Sequence, residues 1–273
     1  VNGDIATVTN LKILADDFKK AKIDKILYQL VVNDRPSMAY KILFIRKRAL
    51  LSTAKKALKL HKDTPNIFEM FHNMLINSGI KTRGFRAIYW PVKNINDYYN
   101  MHWDIIWDKK IFDMLFKEKI IKSEIKSTGF AHIGDMGKIK DSFISDYCYI
   151  NGTIENSIIY PGVQIESGAV IKDSVLLPNV KIGRESKITK AIIDERTDFS
   201  EEDNYFSIEP ECRIGTTQDL IKNDLHPTDL HSSITLIGKN NRVPKGSWIG
   251  GACYIVAEGN LDYFTTNKNL YDG

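Results

Sequence analysis

The sequence predicts an α/β layer followed by a triangular parallel β-solenoid. Three observations predict it. Up to about residue 125, short apolar runs alternate with segments of helical spacing. After residue 140 the helical spacing stops and aliphatic residues recur every six positions. Longer segments also recur every 17 residues, a period that belongs to stacked coils.

Composition sets the outer bounds. The chain has 273 residues, 43% of them hydrophobic, enough for two domains or one large one. A net charge of +4 gives no whole-protein field for nucleic acid, and Arg46-Lys47-Arg48 and Lys55-Lys56 read as a solvated helix face. Cys148, Cys212 and Cys253 are odd in number and form no C-x-x-C pair, which argues against a disulfide framework or a structural zinc site. There is no charged-then-apolar leader and no apolar run of membrane-spanning length. A cytoplasmic protein without nucleic-acid or membrane partners is expected.

In the first part, "KILYQLVV" (25–32) and "YKILFIR" (40–46) have the β-branched and aromatic content of buried strands. Segments 10–22, 47–61 and 66–79 have helical spacing, the last with Asn66 as N-cap, Glu69 three residues on and Gly79 as the stop. Next comes "YWPVKNINDYY" (89–99), a strand-to-helix turn of the kind that often holds a catalytic group. Ile95, Tyr98, Tyr99, Trp103, Ile106 and Trp107 fall on one face of the helix that follows.

In the second part, "ENSIIYPGVQI" from Glu155, "KDSVLLPNVKI" from Lys172 and "TKAIIDERTDF" from Thr189 are successive copies. Ile154, Ile171 and Ile188 make one column; Ile165 and Ile182 another; Gly152, Ala169 and Ser186 a third. Ile237, Val243, Ile249 and Ile255 keep the six-residue spacing later on. Each aliphatic residue is expected to point inward and stack on its counterpart about 4.8 Å away. Gly162, Gly168, Asn179 and Gly183 fall at corners, where left-handed backbone angles cost least for Gly and Asn. A β-sandwich also has short strands and turns but requires neither the columns nor the fixed sixes. Segments 194–211 and 216–233 break the register and read as excursions from the coil.

Residues 137–194 and 232–251 resemble the β-helix of the glucose-1-phosphate adenylyltransferases (ADP-glucose pyrophosphorylases). "SMAYKILFIRKRALL" (37–51) is similar to that family's Ser-Met-Gly strand, 89–106 to its Tyr-Trp turn and helix, and 2–18 to its Gly-Asp strand end. The resemblance implies a Rossmann-like nucleotidyltransferase domain, N-terminally truncated, over 1–125 and a left-handed hexapeptide-repeat β-helix over 126–273. The implied reaction is attack of glucose 1-phosphate on the α-phosphorus of ATP, with Mg²⁺ in active members.

Carried over residue by residue, the resemblance implies a loss of that chemistry. The family's Gly-rich, Arg-containing triphosphate loop has no counterpart in residues 1–130. Of its two metal-holding aspartates, the first corresponds to Asp4, a vestigial ligand on its own. The second belongs to a Trp-Arg-Asp-Val-Gly turn, where Trp90 is followed here by Pro91 and Val92. Asp97 lies further on, inside the helix pattern. The family's Glu-Lys-Pro segment is missing between "LVVND" and "RPSMAY", while Ser37 remains as a candidate sugar contact. The expectation is a non-catalytic or regulatory subunit with no catalytic residues and no cofactor of its own. Its partner would be a catalytic adenylyltransferase subunit or further copies of itself, with sugar phosphate as a candidate ligand.

Three rival readings stand beside it. One is an active adenylyltransferase whose N-terminal part is missing. Another is a hexapeptide-repeat acyltransferase, for which His132, His226 and His231 are the candidate bases, each flanked by irregular sequence. The last is a structural solenoid without a ligand.

Overall fold

The computed structural model describes residues 5–8, 11–32, 35–60, 71, 73–75, 79–117, 129–197, 206–218, 220–257 and 269–270. Contacts group Lys93–Phe112 with the solenoid, whereas the sequence pattern placed everything up to residue 125 in the α/β part.

The α/β part contains β1 (Ile5–Val8), α1 (Leu11–Lys20), β2 (Lys25–Val32), β3 (Arg35–Ile45), α2 (Lys47–Leu60), β4 (Lys81–Phe85) and β5 (Ile88–Pro91). In the sheet β3-β2-β4, β2 is central, antiparallel to β3 and parallel to β4. Ile26, Leu27, Tyr28 and Leu30 are all buried, so this strand is covered on both faces, as its continuous apolar run requires. Leu14 and Phe18 of α1 pack against the cluster that Ile26, Tyr28, Leu30, Ile42 and Phe85 form. β3 starts five residues before the predicted strand, because its pairing with β2 continues past an irregularity to Val32↔Arg35. Of the predicted helix at 66–79, residues 71 and 73–75 are helical. Asn66 and Glu69 lie outside the described residues, and Gly79 takes φ +62°. β1 was not foreseen; it pairs antiparallel with β5 from Ile5↔Pro91 to Val8↔Ile88.

The second part is the predicted parallel solenoid with three faces of short stacked strands. One face stacks Ile154, Ile171, Ile188, Ile214 and Ile249 in register. The second stacks Ile144, Ile159, Leu176, Ile193, Ile237 and Ile255. The third stacks Ile133, Ile150, Ile165 and Ile182, continued by bridges to Ile208 and Val243. All of these residues except Ile133 and Ile144 are buried in one core, with Cys148, Cys212 and Cys253 buried and not joined in disulfides. Ile208 corrects the expected excursion at 194–211. Its side chain is fully buried and its backbone forms parallel bridges to Ile182 and Val243, so the coil has resumed by that point.

Three of the four expected corner residues adopt the left-handed region: Gly162 (φ +76°), Gly168 (φ +73°) and Asn179 (φ +62°). Gly183 does not. It is small for another reason, since a Cβ there would come within 2.5 Å of the Pro210 nitrogen on the next coil. Other corners put side-chain-bearing residues into the left-handed region, among them Asp141, Asn156, Asp173 and Lys190 in one column.

Helix α3 (Ile95–Trp107) covers the second face of the solenoid. Tyr99 packs with Ile158, Val175, Ile192, Leu230 and Ile234, where the last two come from the predicted excursion at 216–233 and the turn after it. That excursion is a loop, pinned to the helix start by Ile95 N–H donating to the Asp229 carbonyl at 2.9 Å. Trp107, placed on the apolar face by its spacing, is 54% exposed. Asn96 and His102, polar by sequence, are buried instead.

Candidate functional site

The register Ile5↔Pro91 sets the start of β1 opposite the end of β5, where the Tyr-Trp segment lies. Tyr89 and Trp90 are in the strand itself, and so is Pro91, which an edge strand tolerates because its missing N–H breaks no interior ladder. The turn proper is therefore Val92-Lys93-Asn94. Asn94 caps α3, its side chain accepting from Asp97 N–H at 2.8 Å. Asp97 in turn accepts from Lys93 N–H at 3.0 Å, a reciprocal arrangement that satisfies two donors at the helix start.

These residues do not fit a divalent cation. Pro91 is exposed and carries no ligand atom, and the Asp97 carboxylate is engaged with the backbone. Asp4 lies outside the described residues. Ser37 falls in β3, but its side chain lies outside the described residues too. Among the described residues no three His, Cys, Asp or Glu side chains come together as a metal would need.

The aromatic frame of the turn does not act as one unit. Tyr89 packs with the α/β cluster, whereas Tyr98 and Tyr99 pack on the solenoid. Strand and helix thus join different cores.

The α/β part holds one charged group that sequence reasoning missed. Tyr28 donates to one Asp17 carboxylate oxygen at 2.5 Å, and Arg83 donates to the other. The Tyr28 hydroxyl bond, then Arg83, hold the Asp17 carboxyl below its usual range. Burial, then Asp17, push the Tyr28 phenol up to about 12. The group ties α1 to β2 and β4.

The histidines proposed as bases divide differently from expectation. His132 is on a strand of the first described coil, not in irregular sequence, with its ring stacked on Tyr149 at 5.3 Å. His226 and His231 are in the 216–233 loop; His231 N–H donates to Asn96 Oδ1 at 3.0 Å, and its ring meets the Ser232 hydroxyl. His102, which no pattern singled out, is the buried one. Its Nδ1 meets the Tyr98 carbonyl at 2.8 Å, which can only accept, so Nδ1 carries the proton. Nε2 then accepts from the Tyr160 hydroxyl at 3.1 Å. Burial holds the His102 imidazole below its ordinary range and pushes the Tyr98 phenol up to about 12. Both nitrogens are occupied by structural partners.

Comparison with known proteins agrees with this architecture. Residues 127–224 match the family model described as GlmU-like, C-terminal hexapeptide. The chain is 30% identical over 163 residues to a glucose-1-phosphate adenylyltransferase of Acetivibrio thermocellus, covering 59% of this chain and 36% of that protein. It is 29% identical over 164 residues to the protein of that name in Desulfitobacterium hafniense strain DCB-2, covering 59% and 37%. For Desulforamulus reducens the figures are 28% over 174 residues, 64% and 40%. The chain is thus distantly homologous to glucose-1-phosphate adenylyltransferases over its C-terminal part, and it spans little over a third of the length of these relatives. No helix among the described residues is long and apolar enough to cross a membrane.

Proposed function

We propose that the chain serves ADP-glucose formation for glycogen synthesis in the cytoplasm as a non-catalytic or regulatory subunit. It would act through contact with a catalytic glucose-1-phosphate adenylyltransferase chain or with further copies of itself. The observation that carries this reading is the Trp90-Pro91-Val92 segment. Where the resembled family has a metal-binding aspartate, this chain has a prolyl ring paired in a strand and an isopropyl group. The nearest carboxylate along the helix, Asp97, is bound to the backbone.

Asp4 alone is a poor magnesium site, since Mg²⁺ demands near-octahedral oxygen ligation and usually takes more than one anchoring group. Without the metal, the charge that develops on a transferring nucleotidyl group is left unmatched, at a cost of orders of magnitude in rate. Ser37 is kept as a candidate sugar contact, so that sugar-phosphate binding without turnover is part of the reading.

A second reading, an active adenylyltransferase of which this sequence is a piece, draws on the chain's span of little over a third of its relatives. Co-expression of the full gene product with a catalytic adenylyltransferase of the same cell, then affinity purification and assay, separates the two. Co-elution at a fixed ratio, with ADP-glucose formation altered in rate or effector response, is expected. Separate elution and an unchanged catalytic chain would overturn the subunit reading.

A further inference from the structure

We infer that the loop around Leu225 carries a self-complementary surface through which two copies of this chain meet about a two-fold axis. The outward residues of the second solenoid face are apolar on successive rungs: Phe143, Ile158, Val175, Ile192, Leu236 and Tyr254 stand in register. α3 and Leu230 cover the middle of this column. At its end Tyr254 stays 44% exposed, and Val256, two residues on, 56% exposed. A cavity opens there, walled by Ile95, Leu230, Leu236 and Tyr254, with His226 and Asp229 completing it. The His226 ring meets Tyr254 edge-on at 6.2 Å. At about 210 Å³ the cavity is several times the ~30 Å³ that one water takes, and it accepts an aliphatic side chain.

Beside this hole the chain holds a knob. Leu225 is 85% exposed, yet its backbone is fixed from below by the buried Asn223. The Asn223 amide donates to the Ala252 carbonyl at 2.9 Å. Its Oδ1 accepts from Leu225 N–H at 3.1 Å and from His226 N–H at 2.9 Å. An aliphatic side chain held in water is unfavourable until another surface covers it, and holding it in advance lowers the entropy cost of that covering. Two features select a second copy as the occupant. Knob and hole are adjacent, Leu225 preceding the cavity residue His226, so a two-fold axis beside them seats each Leu225 in the other copy's cavity. Lys222 and Asp224 are exposed on the same loop with opposite charges, so the same axis turns each lysine toward the other copy's aspartate. This names the surface by which further copies attach in the subunit reading, and it rests on that reading.

The test is sedimentation velocity of the full gene product over a range of concentrations, alone and mixed with a catalytic glucose-1-phosphate adenylyltransferase chain. A concentration-dependent dimer, or a larger assembly built of dimers, is expected for the chain alone. Leu225→Ser is expected to weaken self-association about tenfold or more, as truncation of a central apolar anchor does. Lys222→Asp is expected to weaken it several-fold, and the added change Asp224→Lys to restore it. Val170→Ser, exposed on another face, is expected to leave it unchanged. A monomer at every concentration would overturn the inference. So would self-association that ignores Leu225→Ser, that Val170→Ser weakens equally, or that the double charge reversal fails to restore. Binding to the catalytic chain that Leu225→Ser abolishes, without self-association, would overturn the choice of a second copy. Contact with the catalytic chain is read separately, so a monomer that still binds it leaves the subunit reading standing.

Discussion

The Tyr99 hydroxyl donates to the Asp173 backbone carbonyl at 2.6 Å, a bond that spans 74 residues of sequence. It fastens α3 to a solenoid corner whose left-handed turn (Asp173, φ +46°) exposes that carbonyl. Tyr99→Phe keeps the ring against Ile158 and Val175 and removes only the hydroxyl. Docking of α3 should weaken by about 1 kcal/mol, the usual net worth of one such bond. Hydrogen exchange should rise in α3 amides and stay unchanged in the buried strands around Ile171. Equal acceleration in both would mean that the helix has no docking equilibrium of its own.

His102 makes the same docking sensitive to pH. Burial depresses its folded-state value below the ordinary 6.5. A depressed histidine adds no charge to the folded state while the unfolded chain takes up a proton. Stability is therefore fully present above pH ~6.5 and is lost as pH falls from there through the folded-state value. Denaturation of the wild type between pH 8 and pH 5 should show this decline. His102→Gln should flatten the part of the profile below pH ~6.5. An unchanged slope in the variant would assign the decline to other groups.

The inward columns should behave as a core and the outward ones as surface. Ile171 is fully buried between Ile154 and Ile188, and truncation to Ala should cost about 2–5 kcal/mol. Its neighbour Val170, 37% exposed on the outer face, should lose no more than about 0.5 kcal/mol on the same change. Urea unfolding of the two variants makes the comparison, and similar losses would contradict the register.

Two glycines separate backbone angle from crowding. Gly246 (φ +71°) has nothing within 4 Å of a would-be Cβ, so Gly246→Ala should cost about 1–2 kcal/mol, the left-handed penalty alone. Gly215→Ala adds a clash with the Thr189 carbonyl and should lower the melting temperature clearly more. Equal melting temperatures would mean that the coil relaxes around position 215.

How much of this was legible follows from the range of each interaction. The columns through Ile154, Ile171 and Ile188 are visible because stacking repeats one local choice at a fixed period. Ile208 was hidden because the acidic insertion before it breaks that period, although the residue returns to the third face. Corners such as Asp173 and Lys190 carry no glycine to mark them. The burial of Asn96 and His102 depends on partners far along the chain, Asn96 on His231, 135 residues away, and His102 on Tyr160, 58 residues away. No helical periodicity contains that information. At the candidate site, the residues themselves showed that Pro91 and Val92 follow Trp90, and only the resemblance gave that pair a meaning. That Pro91 pairs within β5, and that Tyr89 and Tyr99 join different cores, required the structure.

The subunit proposal requires that the chain does not itself form ADP-glucose, since the segment Trp90-Pro91-Val92 offers no side-chain carboxylate for a metal. The most direct measurement is ADP-glucose formation by the purified full gene product alone, with ATP, glucose 1-phosphate and Mg²⁺. Product formation indistinguishable from a protein-free control is predicted. Mg²⁺-dependent turnover at enzyme-like rates would contradict it.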